Sequence, residues 1–227
     1  MANPGKDPAS DHAGERGAPS PWAVRRRRPR DHDLKRVAVV EAAARAFNER
    51  GYHNTSLDDI AAALGVTKPT VYYYVESKEQ LLVECFRAGL ERIRDAFEQA
   101  SRSDRPARER LERALRGYAM AIASEYGWCM VRAHEHDLGP DMGRQVTALK
   151  SEIDQGIRRL LREGMADGSI AACDPRVTAF AMAGALNCIA HWYRDGQSMG
   201  PSDVADAYLD FFRRGLAPRD DAPAAPR

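Results

Sequence analysis

Four consecutive residues, His134-Glu135-His136-Asp137, form the densest cluster of metal-ligating and acid–base side chains in the 227-residue sequence. Such a set could hold a zinc ion or serve a hydrolase. Residues two apart on a helix point about 200° apart, so His134 and His136 cannot share one ligand face. A metal would need further partners. No HExxH, GxSxG, phosphate loop or GxGxxG accompanies the cluster. Cys85, Cys129, Cys173 and Cys188 are 44, 44 and 15 residues apart and include no CxxC pair. That spacing argues against a zinc site or a small disulfide scaffold. The cluster therefore reads first as structural or pocket-lining, with a metal-dependent hydrolase as the rival. No catalytic residue, metal or cofactor is expected.

A second group of side chains suits a different chemistry, the recognition of nucleic acid. Lys68, Thr70 and Tyr73 occupy one short segment with Thr67 before it and Lys78 just beyond. A helix that enters a major groove about 12 Å wide must present small, polar or long cationic side chains from its first turns. Lys68, Thr70 and Tyr73 fit that demand, and Lys78 at the next helix start can hold a phosphate, helped by backbone amides. Tyr72, Tyr73 and Tyr74 are all candidates for DNA contact. Tyr72 is expected to pack inward as well, over Ala61, Leu64 and Val71. Thr55 either donates to a phosphate or caps a helix, and the two roles are compatible. Ser56 is the other cap candidate.

Charge distribution favours the same reading. The formal net charge is only +1, but residues 1–30 carry seven Lys/Arg against three Asp/Glu, whereas residues 31–100 carry nine against twelve. Arg25, Arg26, Arg27, Arg28 and Arg30 are concentrated in the first segment. They are either a solvated tail or an arm that follows the DNA backbone or enters the minor groove. A non-specific DNA-compacting protein is a further alternative. The first apolar stretch follows this arginine run and is soon broken by charges, unlike a signal peptide. No apolar run reaches about eighteen residues. Reduced thiols in a cytoplasmic protein are the simplest expectation.

The elements that must position these residues read as helices almost throughout. Residues 1–30 and 217–227 are expected to be disordered tails. Between them, apolar spacing and turn residues predict about nine helices: 33–50, 57–64, 68–75, 78–100, 105–126, 128–137, one from Pro140 to about Gly164–Gly168, 175–196 and 202–215. Val37, Val40, Ala44 and Phe47 mark the first. Ser56 and Asp59 suggest a capping box for the second, and Gly65-Val66-Thr67 forms the turn of a helix-turn-helix. The expected organisation is all-α, with a DNA-binding domain at 31–80 and a ligand-binding and dimerisation domain at 81–216.

The run Gly51-Tyr52-His53-Asn54-Thr55-Ser56-Leu57-Asp58-Asp59-Ile60-Ala61-Ala62-Ala63-Leu64-Gly65-Val66-Thr67-Lys68-Pro69-Thr70-Val71-Tyr72-Tyr73-Tyr74-Val75-Glu76-Ser77-Lys78-Glu79-Gln80-Leu81-Leu82 resembles the DNA-binding domain of the TetR/AcrR family. Val75 stands where most members have Phe and keeps an apolar core position. The resemblance implies an all-helical homodimer, usually a repressor released from its operator by a small molecule. In the C-terminal half, Arg162-Glu163-Gly164, Gly168, Asp174-Pro175, Gly184-Ala185-Leu186-Asn187, Trp192-Tyr193-Arg194, Ala205-Asp206 and Gly215-Leu216 resemble a subgroup that controls fatty-acid or sterol breakdown. That resemblance implies acyl-CoA thioesters as the effector class.

Two further sites are expected in this half. Ala181, Gly184, Ala185 and Cys188 recur at three- and four-residue spacing, and Val204, Tyr208, Phe211 and Phe212 follow in the last helix. These faces suit an isologous four-helix dimer interface. Trp128, Met130, Arg132 and His134, joined by Asn187 and His191, are expected to face the interior and line a mostly apolar ligand cavity. Arg132 either pairs with the phosphates of a thioester or with Glu135 or another carboxylate.

Overall fold

The computed structural model describes residues 29–132, 139–194, 196 and 198–218. Among them the regular structure is entirely helical: α1 (Pro29–Arg50), α2 (Leu57–Leu64), α3 (Lys68–Tyr72), α4 (Lys78–Ser101), α5 (Ala107–Ile122), α6 (Gly127–Arg132), α7 (Gly139–Ala166), α8 (Pro175–Trp192) and α9 (Pro201–Leu216). The Arg25–Arg28 run and His134–Asp137 lie outside the described residues, as do the last nine, 219–227.

Helices α1 to α3 form the N-terminal head, the segment expected to read DNA. Ala42, Ala43, Ala44, Ala46 and Phe47 are buried along α1, so small side chains let its neighbours approach. Val37, expected on that apolar face, is instead 51% exposed, and Val39 is fully buried beside it. The predicted capping box on α2 is present: the Ser56 hydroxyl accepts from the Asp59 N–H, and the Asp59 carboxylate accepts from the Ser56 N–H at 2.8 Å. Gly65 ends α2 with φ at 66°, the left-handed conformation for which glycine carries no Cβ penalty. Pro69 sits in the first turn of α3, where its missing N–H costs nothing.

Helix α4 joins this head to the rest. Ser77 caps it by accepting from the Gln80 N–H. Leu81, Leu82, Cys85 and Phe86 bury its first two turns, and Leu90, Ile93 and Phe97 bury the remainder. It packs along α5, where a Cβ on Gly117 would stand 2.2 Å from that of Ala96. Helix α7 closes the bundle with Ile153, Ile157, Leu160 and Leu161, and its Gly156 admits the ring of Phe97. Asp174 caps α8 by accepting from the Arg176 and Val177 amides. Helix α9 buries Val204, Ala205, Leu209, Phe212 and Leu216 on the side that meets α5, and Arg213 reaches Glu112 at 3.2 Å. Among the described residues no helix is long and apolar enough to cross a membrane.

Candidate nucleic-acid interface and ligand site

The second helix-turn-helix element presents a polar, open face. Thr67, Lys68, Thr70, Tyr72 and Tyr73 lie on the surface or half-exposed, while Val71 is fully buried. Val71 therefore does the inward packing expected of Tyr72, which is 49% exposed. Tyr74 turns toward the core instead, half-buried, with its ring 5.1 Å from that of His32 at the start of α1. The hydroxyls of Thr67 and Thr70 share a hydrogen bond of 2.9 Å. Lys68 donates to the Asp58 carboxylate at 2.7 Å, and that bond raises its pKa above the ordinary lysine value.

A groove of about 500 Å³ separates this face from the starts of α2 and α4, and its lining includes Asn54, Ser56, Lys68, Tyr72 and Lys78. Lys78 rests its ammonium 4.3 Å above the Tyr52 ring, a position that keeps the charge on the surface side of the head. Thr55 departs from expectation. It is 2% exposed, and its hydroxyl lies 2.9 Å from the Gly51 carbonyl and 3.2 Å from that of Ala46. Its one proton is thus spent inside the head, and Ser56 alone supplies the cap.

The six residues expected to line an interior ligand cavity do not converge. Met130 is buried, packed against Gly89 of α4, where a Cβ would meet its sulfur at 2.5 Å. The Asn187 side-chain oxygen accepts from the Tyr118 hydroxyl at 3.0 Å, and burial pushes the pKa of that phenol up to about 12. His191 is exposed on α8, because Ile189 and Ala190 take the inward positions at that end. Of Trp128 only the backbone is described, and His134 lies outside the described residues. Arg132 is exposed and does line a cavity, one of about 1070 Å³ between the N-terminal head and the bundle. Its walls also include Arg45 and Arg50 of α1, Arg92 of α4, Glu125 and Arg194. Sequence reading missed these arginines because they are scattered over 150 positions with no shared spacing. Among the described residues no three His, Cys, Asp or Glu groups are placed to hold a metal.

The small residues of α8 lie on its outer face. Ala181, Gly184 and Cys188 are exposed and Ala185 half-buried. Val177 at 64%, Phe180 at 55% and Trp192 at 42% exposure continue the strip. On α9, Phe211 is 74% exposed and Tyr208 half-buried, with the Trp192 indole N–H 3.4 Å from the Tyr208 hydroxyl. Phe212, expected in the interface, is 7% exposed and belongs to the protomer's own core.

Comparison with known proteins places this architecture. The DNA-binding domain described as "Bacterial regulatory proteins, tetR family" matches residues 39–85, and a "Tetracyclin repressor-like, C-terminal domain" matches 104–216. The transcriptional repressor ComR of Escherichia coli is 31% identical over 180 residues, 75% of this chain and 82% of ComR. The repressor KstR2 of Rhodococcus jostii is 27% identical over 186 residues, 81% of this chain and 91% of that one. The crystal structure of AibR with isovaleryl coenzyme A and operator DNA superposes with a TM-score of 0.66 at 25% identity, covering 78% of this chain and 97% of AibR. These relatives are regulators rather than enzymes. With both family domains matched in order and a helix-turn-helix whose second helix faces outward, the chain belongs to the TetR family of DNA-binding transcriptional regulators.

Proposed function

We propose that this protein is a homodimeric repressor that leaves a palindromic operator when it binds a hydrophobic thioester, an acyl-CoA. The observation that carries the DNA-binding part is the outward face of α3. Thr67, Lys68, Thr70, Tyr72 and Tyr73 are left open around the fully buried Val71. Lys68 reads base edges, the tyrosines and threonines add groove contacts, and Lys78 and Ser56 sit against phosphates. The arm Arg25–Arg28 offsets the acidic balance of the head. The exposed strip of α8 and α9 seals against its own copy and sets two recognition helices one DNA turn, about 34–36 Å, apart. KstR2 and ComR, which are named repressors, support the sign of regulation. AibR, solved with isovaleryl coenzyme A and operator DNA, supports the effector class.

Selection of genomic fragments bound by the purified protein identifies an operator. Mobility shifts on that fragment then compare medium-chain, long-chain and sterol-derived acyl-CoAs with their free acids and with CoA. Release by thioesters alone is the expected result. Binding that survives scrambling of the palindrome would replace this reading with non-specific DNA binding.

A further inference from the structure

The cavity between the reading head and the bundle has the makeup of a site for an anionic amphiphile. Its apolar lining includes the buried Ile122, Ala190 and Tyr193 as a floor, with Met120 exposed beside them. Its rim brings five guanidinium groups together against two carboxylates, those of Glu49 and Glu125. Two of the five are already engaged. Arg50 pairs with Asp59 at 3.0 Å, and Arg92 pairs with Glu125 at 3.5 Å while lying over the Tyr126 ring. Arg45, Arg132 and Arg194 are exposed, and among the described residues none of them has a carboxylate within 4 Å. Arg194 points one nitrogen at the Tyr193 carbonyl, 2.7 Å away, and keeps its other donors.

Three cations from three separate segments cost repulsion when brought to one cavity whose carboxylates are Glu49 and the already paired Glu125. A single carboxylate can engage one planar fork, whereas several phosphate groups can engage three. The volume, about 1070 Å³, lies at the upper end of small-molecule sites. We propose that this cavity binds the phosphates of a coenzyme A thioester on Arg45, Arg132 and Arg194, with the pantetheine and acyl chain laid on the apolar floor. The assignment rests on the thioester reading above and adds where the effector sits and what holds it. It also supplies the coupling. Arg45 belongs to α1 of the head, Arg132 and Arg194 to the bundle. Bound phosphates would draw the end of α1 toward α6 and favour one head orientation over another.

The test is calorimetric titration of the full-length protein with octanoyl-CoA, CoA, octanoate and sodium pyrophosphate. The same titrations are run on Arg45→Gln, Arg194→Gln, the double variant and Arg194→Lys, with Arg158→Gln as control, because Arg158 lines a separate groove of about 840 Å³ between α4 and α7 together with Phe97 and Ile153. Each glutamine variant should bind octanoyl-CoA at least about tenfold more weakly, with losses compounding in the double variant. Arg194→Lys should recover part of the loss, and Arg158→Gln should match the wild type. Pyrophosphate should compete with octanoyl-CoA on the wild type. Equal octanoyl-CoA binding by the wild type and the double variant would overturn the site while leaving the thioester effector intact. Pyrophosphate binding that depends on Arg45 and Arg194, with no octanoyl-CoA binding at all, would keep the anion site and refute the thioester. No anion binding by the wild type overturns the site.

Discussion

Phe211 and Phe212 are neighbours in sequence with ring centroids 6.0 Å apart, yet one is 74% exposed and the other 7%. Truncating each should damage a different property. If the α8–α9 strip is buried by a second copy, the exposed 74% of Phe211 makes about 150 Å² available, taking a phenylalanine side chain as roughly 200 Å², and Phe211→Ala removes about 100 Å² of it per protomer because the alanine methyl keeps about a third. At about 25 cal/mol/Å² this is about 2.5 kcal/mol. A twofold interface contains the change twice, so dimer dissociation should become easier by about 5 kcal/mol, or between three and four orders of magnitude in Kd. Phe212→Ala instead opens a hole in the protomer's core. It should cost about 3–5 kcal/mol of fold stability, lowering Tm by roughly 10 °C. Sedimentation velocity over a concentration series reads the first effect. Thermal unfolding at one fixed protomer concentration reads the second, because dimerisation itself moves Tm. A Phe211→Ala protein that sediments like the wild type at every concentration would refute the interface.

Three further outcomes are expected. Lys68→Ala should lower operator-over-random selectivity by about 5- to 150-fold in competition mobility shifts, whereas Asp58→Asn, which frees Lys68 from its 2.7 Å partner, should tighten binding to both DNAs. Equal losses on operator and random DNA would reduce Lys68 to a phosphate contact. Deleting residues 1–30 removes five clustered arginines and should reduce the slope of log affinity on log salt by up to about 4.5; an unchanged slope makes the arm a bystander. Asp167, whose carboxyl is held below the usual 3.8 by the Ser169 side chain and by the Ala107 and Ser169 amides, contributes stability fully above that value and loses it as pH falls through its lower folded pKa. Asp167→Asn should therefore lower Tm at neutral pH, with the gap to wild type closing below about pH 4; a gap that persists at low pH would show that its charge is not what matters.

Features encoded locally were legible. The bounds of α2 follow from Ser56 and Asp59 at one end and Gly65 at the other, and both devices appear as expected. The end of α3 was not, because the apolar spacing runs on to Val75 while the chain continues past Tyr72 in turns, with the Tyr74 N–H bonding to Val71. Which of three adjacent tyrosines faces inward has no local signal. It depends on tertiary packing: His32 at the start of α1 lies against the rings of both Tyr73 and Tyr74, yet only Tyr74 packs against the core. The same limit governs Phe211 and Phe212, whose fates differ because α5 covers one side of α9 only. His191 fell on the wrong side because helical period alone cannot say how far along α8 the bundle extends. The arginine-lined cavity is the extreme case. Arg45 and Arg194 come from opposite ends of the chain, and tertiary packing alone brings them to one rim.

An effector at that rim touches the head directly through α1, which packs on α2 and through it on α3, while α4 ties the head to the bundle, and the packing there is stiff where stiffness is needed. Glu84 binds Arg36 of α1 at 2.9 Å, and the Cys85 thiol lies 3.4 Å from the Val40 carbonyl, so the first two turns of α4 are tied to the head. One turn further on, Gly89 lets α6 approach closely enough for Met130 to fill the place of a Cβ. Cys85 and Cys129, both fully buried, bring the same two helices together a turn earlier, and burial keeps the Cys85 thiol protonated well above its ordinary pKa. A shift of α6 therefore has no soft layer in which to dissipate, since close-packed interiors transmit strain. Helix α4 has 24 residues, about 36 Å of length at 1.5 Å per residue. A tilt of about five degrees displaces its far end by roughly 3 Å, which is enough to disturb the one-turn separation that two recognition helices need. The size of the response is bounded by the difference in effector affinity between the two head positions. That difference is largest when one ligand touches α1 and α6 at once, as a set of phosphates shared by Arg45 and Arg132 would.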